Sequence, residues 1–261
     1  MRRSAAPSSM AAAAVAKLKA RSARPEPEHG HTDLLQRFLE ASKDFPVALD
    51  TPGIVGMLMS TITGAGDTTA TTVVAVLYYL MRHPAALAKL RDELQQQANL
   101  PEVPIPKYAD VARLPYLQAV IRESMRLFST ATWPIERLVP EGGATIAGMH
   151  FPAGTSVGCL PAAVHLNPGV FGDDAHAFRP ERWFSLDPER LRQMEAAHMG
   201  FSRGRRVCLG QHIAVLQMKK VIPALVMKFE LGLVDPNQSL DADYSAAVAC
   251  FRPMYATARL R

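Results

Sequence analysis

The chain has 261 residues, enough for one large domain or two ordinary ones with a sizeable core. Its 48% hydrophobic and 20% charged residues are globular in character and exclude both a disordered tail and a disulfide-rich secreted scaffold. The net charge of +5 leaves anionic partners open, but the basic residues are not interleaved with aromatics, which argues against nucleic-acid binding.

Residues 1–29 form a basic, Ala-rich segment with six Lys and Arg and no acid in the first 25 positions. It reads as an Ala-rich helix with a basic face or a frayed end, with an organelle-targeting leader as the alternative. The apolar spacing at 34, 35, 38 and 39 predicts a helix over 33–42. A long apolar helix follows over about 52–82, with Thr51 as N-cap and Pro52 at the first helical position. At 1.5 Å per residue it would run roughly 45 Å, so a membrane span over 53–81 is one reading. Asp67, the glycines and the threonines at its centre favour a helix buried in a large soluble domain instead.

An amphipathic surface helix is predicted over 85–98, and a half-buried one over about 115–128 with apolar positions 117, 120, 121 and 125. Within 133–160, near-alternation broken by Gly148 and by Pro-Ala-Gly predicts a β-hairpin over 144–160. Residues 161–200 are irregular and rich in Pro, Gly, Asp and aromatics, and so long an irregular stretch in a compact domain points to a function. A last helix begins near Cys208, within 201–229, and its interior Pro223 should bend it. Met218 and Met227 belong to the core.

The three cysteines, at 159, 208 and 250, form no Cys-x-x-Cys pair, which argues against a disulfide framework or a structural zinc site. Cys159 and Cys250 read as small core residues. Cys208 is different. It stands in FSRGRRVCLG among Arg203, Arg205 and Arg206, with Gly204 and Gly210 to either side, ahead of a helix whose N-terminal dipole favours a thiolate. A packed thiol, a redox switch and a metal ligand are all possible for a lone cysteine, but burial alone explains neither the glycines nor the arginines. The stretch offers a soft anionic ligand, room for a flat body and an arginine to clamp its acidic groups.

The pattern Phe201-x-x-Gly204-x-Arg206-x-Cys208-x-Gly210 resembles the haem-binding signature of the cytochrome P-450 superfamily. Three further signatures occur in the family's order: Gly-Ala-Gly-Asp-Thr-Thr at 64–69, Glu123-x-x-Arg126, and Pro-Glu-Arg-Trp with Arg182. The fold implied is mainly α with a small β-hairpin and sheet region, the C-terminal portion of the P-450 fold truncated at its N-terminus, covering about 30–261. The early helices, most substrate-recognition loops and the membrane anchor would then be absent from this chain. The wording of the C-terminal half is similar to fungal pisatin demethylase-like members, which implies secondary metabolism or detoxification of lipophilic compounds.

The resemblance implies a haem-dependent monooxygenase that inserts one atom of O2 into a lipophilic small molecule. The cofactor would be haem b, with Cys208 as axial iron ligand. Electrons would come from NADPH through a cytochrome P-450 reductase-like partner, with Arg203, Arg205, Lys219 and Lys220 as a basic docking surface or a merely solvated patch. Asp67 and Thr68 would manage protons. Phe201, Gly204, Arg206 and Gly210 would hold the cofactor, and Arg137 and His165 would reach its propionates. Glu123, Arg126 and Arg182 would form a buried structural triad, so Glu123→Ala should prevent haem incorporation. The family usually carries Gly where Ala65 stands, which implies a narrower or shifted oxygen groove. Full-length relatives lie on the cytosolic face of the endoplasmic reticulum membrane. A truncated, non-catalytic fragment that binds haem weakly or not at all is the rival expectation.

Overall fold

A computed structural model describes residues 9–23, 32–97, 104–243, 249–251 and 254–261. Two compact units divide the chain, residues 1–66 and 67–261.

The first unit holds α1 (Ser9–Ser22) and α2 (Leu34–Asp44), and α3 (Thr51–Arg82) begins within it. The Asp33 side chain caps α2, accepting from the Gln36 N–H at 2.8 Å. For α3 the cap lies one residue earlier than the sequence pattern placed it. The Asp50 carboxylate accepts from the Gly53 N–H at 2.8 Å, and Thr51 is already helical. Gly53 is required by the close approach here, because a Cβ would stand 2.5 Å from the Ala48 carbonyl oxygen. Of the basic N-terminal segment, residues 9–22 are helical; the remainder up to residue 31 lies outside the described residues, apart from Ala23.

The second unit is mainly helical. Its core joins the C-terminal part of α3, α4 (Pro84–Gln95), the short α5 (Tyr108–Val111) and α6 (Pro115–Leu127). Leu90, Leu94, Leu117 and Val120 lie fully buried here against Met218, Ile222 and Val226 of the last helix. Alpha-6 is strongly amphipathic: Pro115 opens it, and the Glu93 carboxylate of α4 accepts from its Tyr116 and Leu117 N–H groups at 2.7 and 2.8 Å. A side chain from another helix thus satisfies two donors that the helix itself cannot.

The β region differs from a single hairpin over 144–160. The hairpin proper is β2 (Ala144–Ile146) with β3 (Met149–Phe151), whereas β1 (Ile135–Leu138) pairs antiparallel with β4 (Ser156–Cys159). The reason is the two-residue turn at Ala147 and Gly148, both at positive φ, which closes the hairpin tightly. Beyond β4 the irregular stretch carries α7 (Pro161–His165), α8 (Pro168–Phe171), a 3-10 turn over Pro180–Phe184 and α9 (Pro188–Ala197). Each of these opens on a proline. A prolyl ring presets φ and lacks only an N–H that a helix start leaves unpaired, so short turns replace one long helix.

Alpha-10 (Gln211–Lys228) starts three residues after Cys208, with Gly210 at its N-cap. Met218 is buried and Met227 packs against the core, as their spacing predicts. The chain continues with β5 (Phe229–Leu233), β6 (Ala242–Asp243), β7 (Cys250–Phe251) and β8 (Ala256–Leu260), and β5 pairs with β8 and β6 with β7. The Cys250 side chain lies outside what the structure describes. No helix among the described residues is long and apolar enough to cross a membrane, which removes the span reading of α3.

Candidate functional site

A buried ionic network lies where α6 meets the irregular segment. Glu123 and Arg126, one turn apart on α6, face inward and are 0% and 1% exposed; Arg182, from the 3-10 turn, is 4% exposed. The Glu123 Oε1 accepts from Arg126 Nη2 at 2.8 Å, from Arg182 Nε at 2.8 Å and from the Arg179 backbone N–H at 3.0 Å. Its Oε2 accepts from Arg126 Nε and from the Trp183 indole Nε1, both at 3.0 Å. The remaining guanidinium donors find backbone. Arg126 donates to the carbonyls of His165, Ala175 and Ala177, and Arg182 to those of Phe171, Asp174 and Ala177 and to the Asp174 side chain.

Each guanidinium carries five N–H donors, and all of them have an acceptor here. This is what makes burial of two cations with one anion tolerable, because an unpaired buried charge costs several kcal/mol. Five inward carbonyls, between 165 and 177, are thereby fixed by two side chains, which hold the path of a segment whose one complete helix, α8, is four residues long. Trp183, Asp174 and the Arg179 N–H complete the network without having been singled out in the sequence. An indole N–H can only donate, so the Trp of Pro-Glu-Arg-Trp was a readable signal; Asp174 carried none. Arg126 also stacks on the Phe171 ring at 5.0 Å.

His165, expected to reach a haem propionate, is enclosed by protein. It ends the short α7 turn beneath α6, and its ring is 0% exposed. Its Nε2 accepts from the Met199 N–H at 2.8 Å, so the neutral ring carries its proton on Nδ1, which has no hydrogen-bond partner among the described residues. The ring stacks on His198 at 5.3 Å. Burial, reinforced by the charges of His198 and Arg126, pushes the His165 pKa down to about 3. Burial likewise pushes His198 down to about 4, although its ring nitrogen lies 3.2 Å from the Arg122 carbonyl.

From this pair the chain enters the cysteine loop. Gly200 fits tightly: a Cβ there would stand 2.7 Å from Met125 Cε of α6 and 2.8 Å from His198 Cε1. Phe201 packs against the core, and its carbonyl accepts from the Cys208 N–H at 2.8 Å, closing the loop on itself. Ser202 and Gly204 both take positive φ, and a 3-10 turn follows over Gly204–Arg206. Cys208 is exposed, as are Val207, Leu209, Ile213 and Arg206. A Cβ at Gly204 or Gly210 would meet nothing within 4 Å, so both leave clear space beside the loop.

This donor set fits a haem: an accessible thiol, two glycines that add no bulk, apolar side chains around them and an unburied arginine nearby. Arg203 is committed elsewhere, donating to the carbonyls of Glu195 and Ala196 at the end of α9. Lys219 is buried and donates to the Ala112 carbonyl, so one of the four cations expected to form a basic docking surface is taken up by the fold, whereas Arg203 stays exposed.

Arg137 lies exposed on β1 opposite Val157, its guanidinium donating to the Glu136 carbonyl at 2.6 Å. On α3, Asp67 is exposed and Thr68 half-buried, while the Thr72 hydroxyl donates to the Thr68 carbonyl at 2.8 Å. Cys159 is half-buried on β4, its Sγ 3.6 Å from the Met199 sulfur.

Comparison with known proteins places this geometry in a family. The cytochrome P450 family model matches residues 5–254. Cytochrome P450 monooxygenase pkfB of Emericella nidulans is 40% identical over 206 residues, covering 79% of this chain and 40% of its own length. Cytochrome P450 monooxygenase easK of Aspergillus fumigatus is 41% identical over 170 residues, covering 65% of this chain and 50% of its own. Among solved structures, the crystal structure of a cytochrome P450, CYP102L1, superposes with a TM-score of 0.82 at 25% identity, over 97% of this chain and 55% of that one. The chain spans about two fifths of the length of most of the curated relatives it matches.

Proposed function

The chain belongs to the cytochrome P450 family, and we propose that it is the haem-binding portion of a monooxygenase that inserts one oxygen atom into a lipophilic small molecule, with Cys208 as the axial iron ligand. The observation that carries this reading is the loop itself, in which an exposed thiol is fixed by the hydrogen bond from its own N–H to Phe201 and stands between two glycines with open space beside them. Bound haem supplies the redox-active iron for one-oxygen insertion into an unactivated C–H bond. As its ligand, the Cys208 thiolate would donate electron density to that iron.

The other residues act around it. Phe201 anchors the loop in the core, and Gly204 and Gly210 leave the ring its room. Arg206 and Arg137, both exposed cations, offer guanidinium forks to its carboxylates. Asp67 and Thr68, consecutive on α3, would hold and pass protons for the reaction. Glu123, Arg126 and Arg182 fix the segment beneath it. Electrons come from NADPH through a reductase-type protein, and the likeness to fungal relatives supports a substrate from secondary metabolism.

The reading is tested by loading the chain with haem, reducing it, adding carbon monoxide and recording the difference spectrum. A red-shifted Soret band of the thiolate kind is expected. A chain that takes up no haem, or a band that lacks the thiolate shift, would overturn it.

A further inference from the structure

We propose that His165 is a positioning residue for the cysteine loop, holding the backbone of Met199 so that the segment entering the loop sets the place of Cys208. The proposal rests on the reading of Cys208 as haem ligand, and deepens it. Three hydrogen bonds form the chain of support. Arg126 Nη1 donates to the His165 carbonyl at 2.8 Å, which fixes the residue to the buried ionic network. The His165 Nε2 accepts from the Met199 N–H at 2.8 Å. Two residues further on, the Phe201 carbonyl accepts from the Cys208 N–H at 2.8 Å.

The segment between these points has little freedom. A Cβ at Gly200 would stand 2.7 Å from Met125 Cε and 2.8 Å from His198 Cε1, so a larger residue there would have to displace these side-chain ends. Phe201 is seated in the core. His198 stacks on His165 and lies within hydrogen-bonding distance of the Arg122 carbonyl. The Met199 amide is therefore one of the polar holds on this segment, beside the Ser202 N–H that donates to the Met199 carbonyl at 2.9 Å, and the ring that accepts from it comes from a distant turn. Leaving the ring's Nδ1 enclosed without a partner carries a cost, since a buried unsatisfied donor is unfavourable. A leucine or phenylalanine would fill the same space without that cost and could not accept from Met199.

The requirement is thus for an acceptor at the Nε2 position, which His165→Gln supplies through its terminal oxygen. His165→Leu removes it, and His165→Asn places an acceptor nearer the Nδ1 position. In the full chain, amide hydrogen exchange is followed at Met199 and Cys208, and the haem-loaded protein is examined by the carbon monoxide spectrum. In His165→Leu, exchange at Cys208 as well as at Met199 should quicken about fivefold, the equivalent of about 1 kcal/mol for one neutral hydrogen bond. The share of haem with the thiolate band should fall in step. His165→Gln should restore both, and His165→Asn neither.

Faster exchange at Met199 alone, with Cys208 unchanged, overturns the proposal, because the loop would then position itself. Equal behaviour of the Gln and Asn variants overturns it too, and this comparison stands even if the Leu variant does not fold. Failure of the haem reading is distinguishable: the unsubstituted chain would lack the thiolate band, while the exchange measurements would keep their meaning.

Discussion

Glu123 and Arg126 meet as a two-toothed fork, Nη2 to Oε1 at 2.8 Å and Nε to Oε2 at 3.0 Å, with neither side chain touching solvent. At i and i+3 on a surface helix such a pair would contribute a few tenths of a kcal/mol. Buried, and with Arg182 on the same carboxylate at 2.8 Å, it becomes the point on which the path of residues 165–182 depends.

Removing the anion strands two enclosed guanidinium groups. Glu123→Ala should lower unfolding free energy by about 3–5 kcal/mol and abolish haem uptake. Glu123→Gln should fall short of rescue, because an amide is neutral and half its hydrogen-bonding capacity is donor. Chemical denaturation and haem titration check both. A Gln variant with full stability would contradict the account.

Arg182→Lys keeps the charge but loses the planar fork. An ammonium group offers three donors from one point and cannot reach Glu123, Phe171, Asp174 and Ala177 together. Stability should drop by about 2–4 kcal/mol, close to the loss for a broken buried pair. Wild-type stability in this variant would show that the geometry of the fork is immaterial.

Stability should decline on mild acidification. The folded pKa values of His165 and His198, about 3 and about 4, lie below the ordinary 6.5. Between pH 6.5 and about 4 the unfolded chain takes up protons that the folded chain refuses. Stability is therefore fullest above about pH 6.5 and falls as pH drops, by about 1.4 kcal/mol per pH unit for each imidazole. Burial pushes the Asp174 and Glu181 carboxyls up, but hydrogen bonds from Arg182 and Lys89 outweigh it and hold both low, so their contribution is lost only at lower pH. His198→Phe should roughly halve the slope of stability against pH between 6.5 and 5. An unchanged slope would assign acid sensitivity elsewhere.

Leu117 is fully buried among α4, α6 and α10. Leu117→Ala should cost about 2–5 kcal/mol through lost transfer energy and the cavity left behind. A loss below about 1 kcal/mol in thermal unfolding would mean that this core collapses around the gap.

Asp67→Asn and Thr68→Val should leave haem loading and the thiolate band intact while slowing product formation by about 10²-fold, the scale of lost general acid–base help. The comparison requires donor electrons supplied in excess. Loss of the spectral band in either variant would instead give these residues a structural part.

Much of this architecture was legible in the residues. The longer helices of the second unit, α4, α6 and α10, were expected from the sequence, whereas α7, α8 and α9 fall in a stretch that reads as irregular, and the cysteine loop was marked by its glycines and arginines. What stayed hidden depends on partners far apart in sequence. The pairing of β1 with β4 across the hairpin is one case, and the capping of α6 by Glu93 another. The surroundings of His165 are a third, since only packing shows the ring enclosed and its Nε2 engaged by the Met199 N–H. Lys219 was counted as a surface charge, yet it is buried and bends back to the Ala112 carbonyl. Composition cannot show which way a long side chain turns.

The central claim, that the Cys208 sulfur binds iron, is tested most directly by X-ray absorption at the iron edge of the haem-loaded chain. The account predicts one sulfur in the first coordination shell of the unsubstituted protein and none in Cys208→Ala. A shell of nitrogen and oxygen alone in the first, or a sulfur retained in the second, would contradict it.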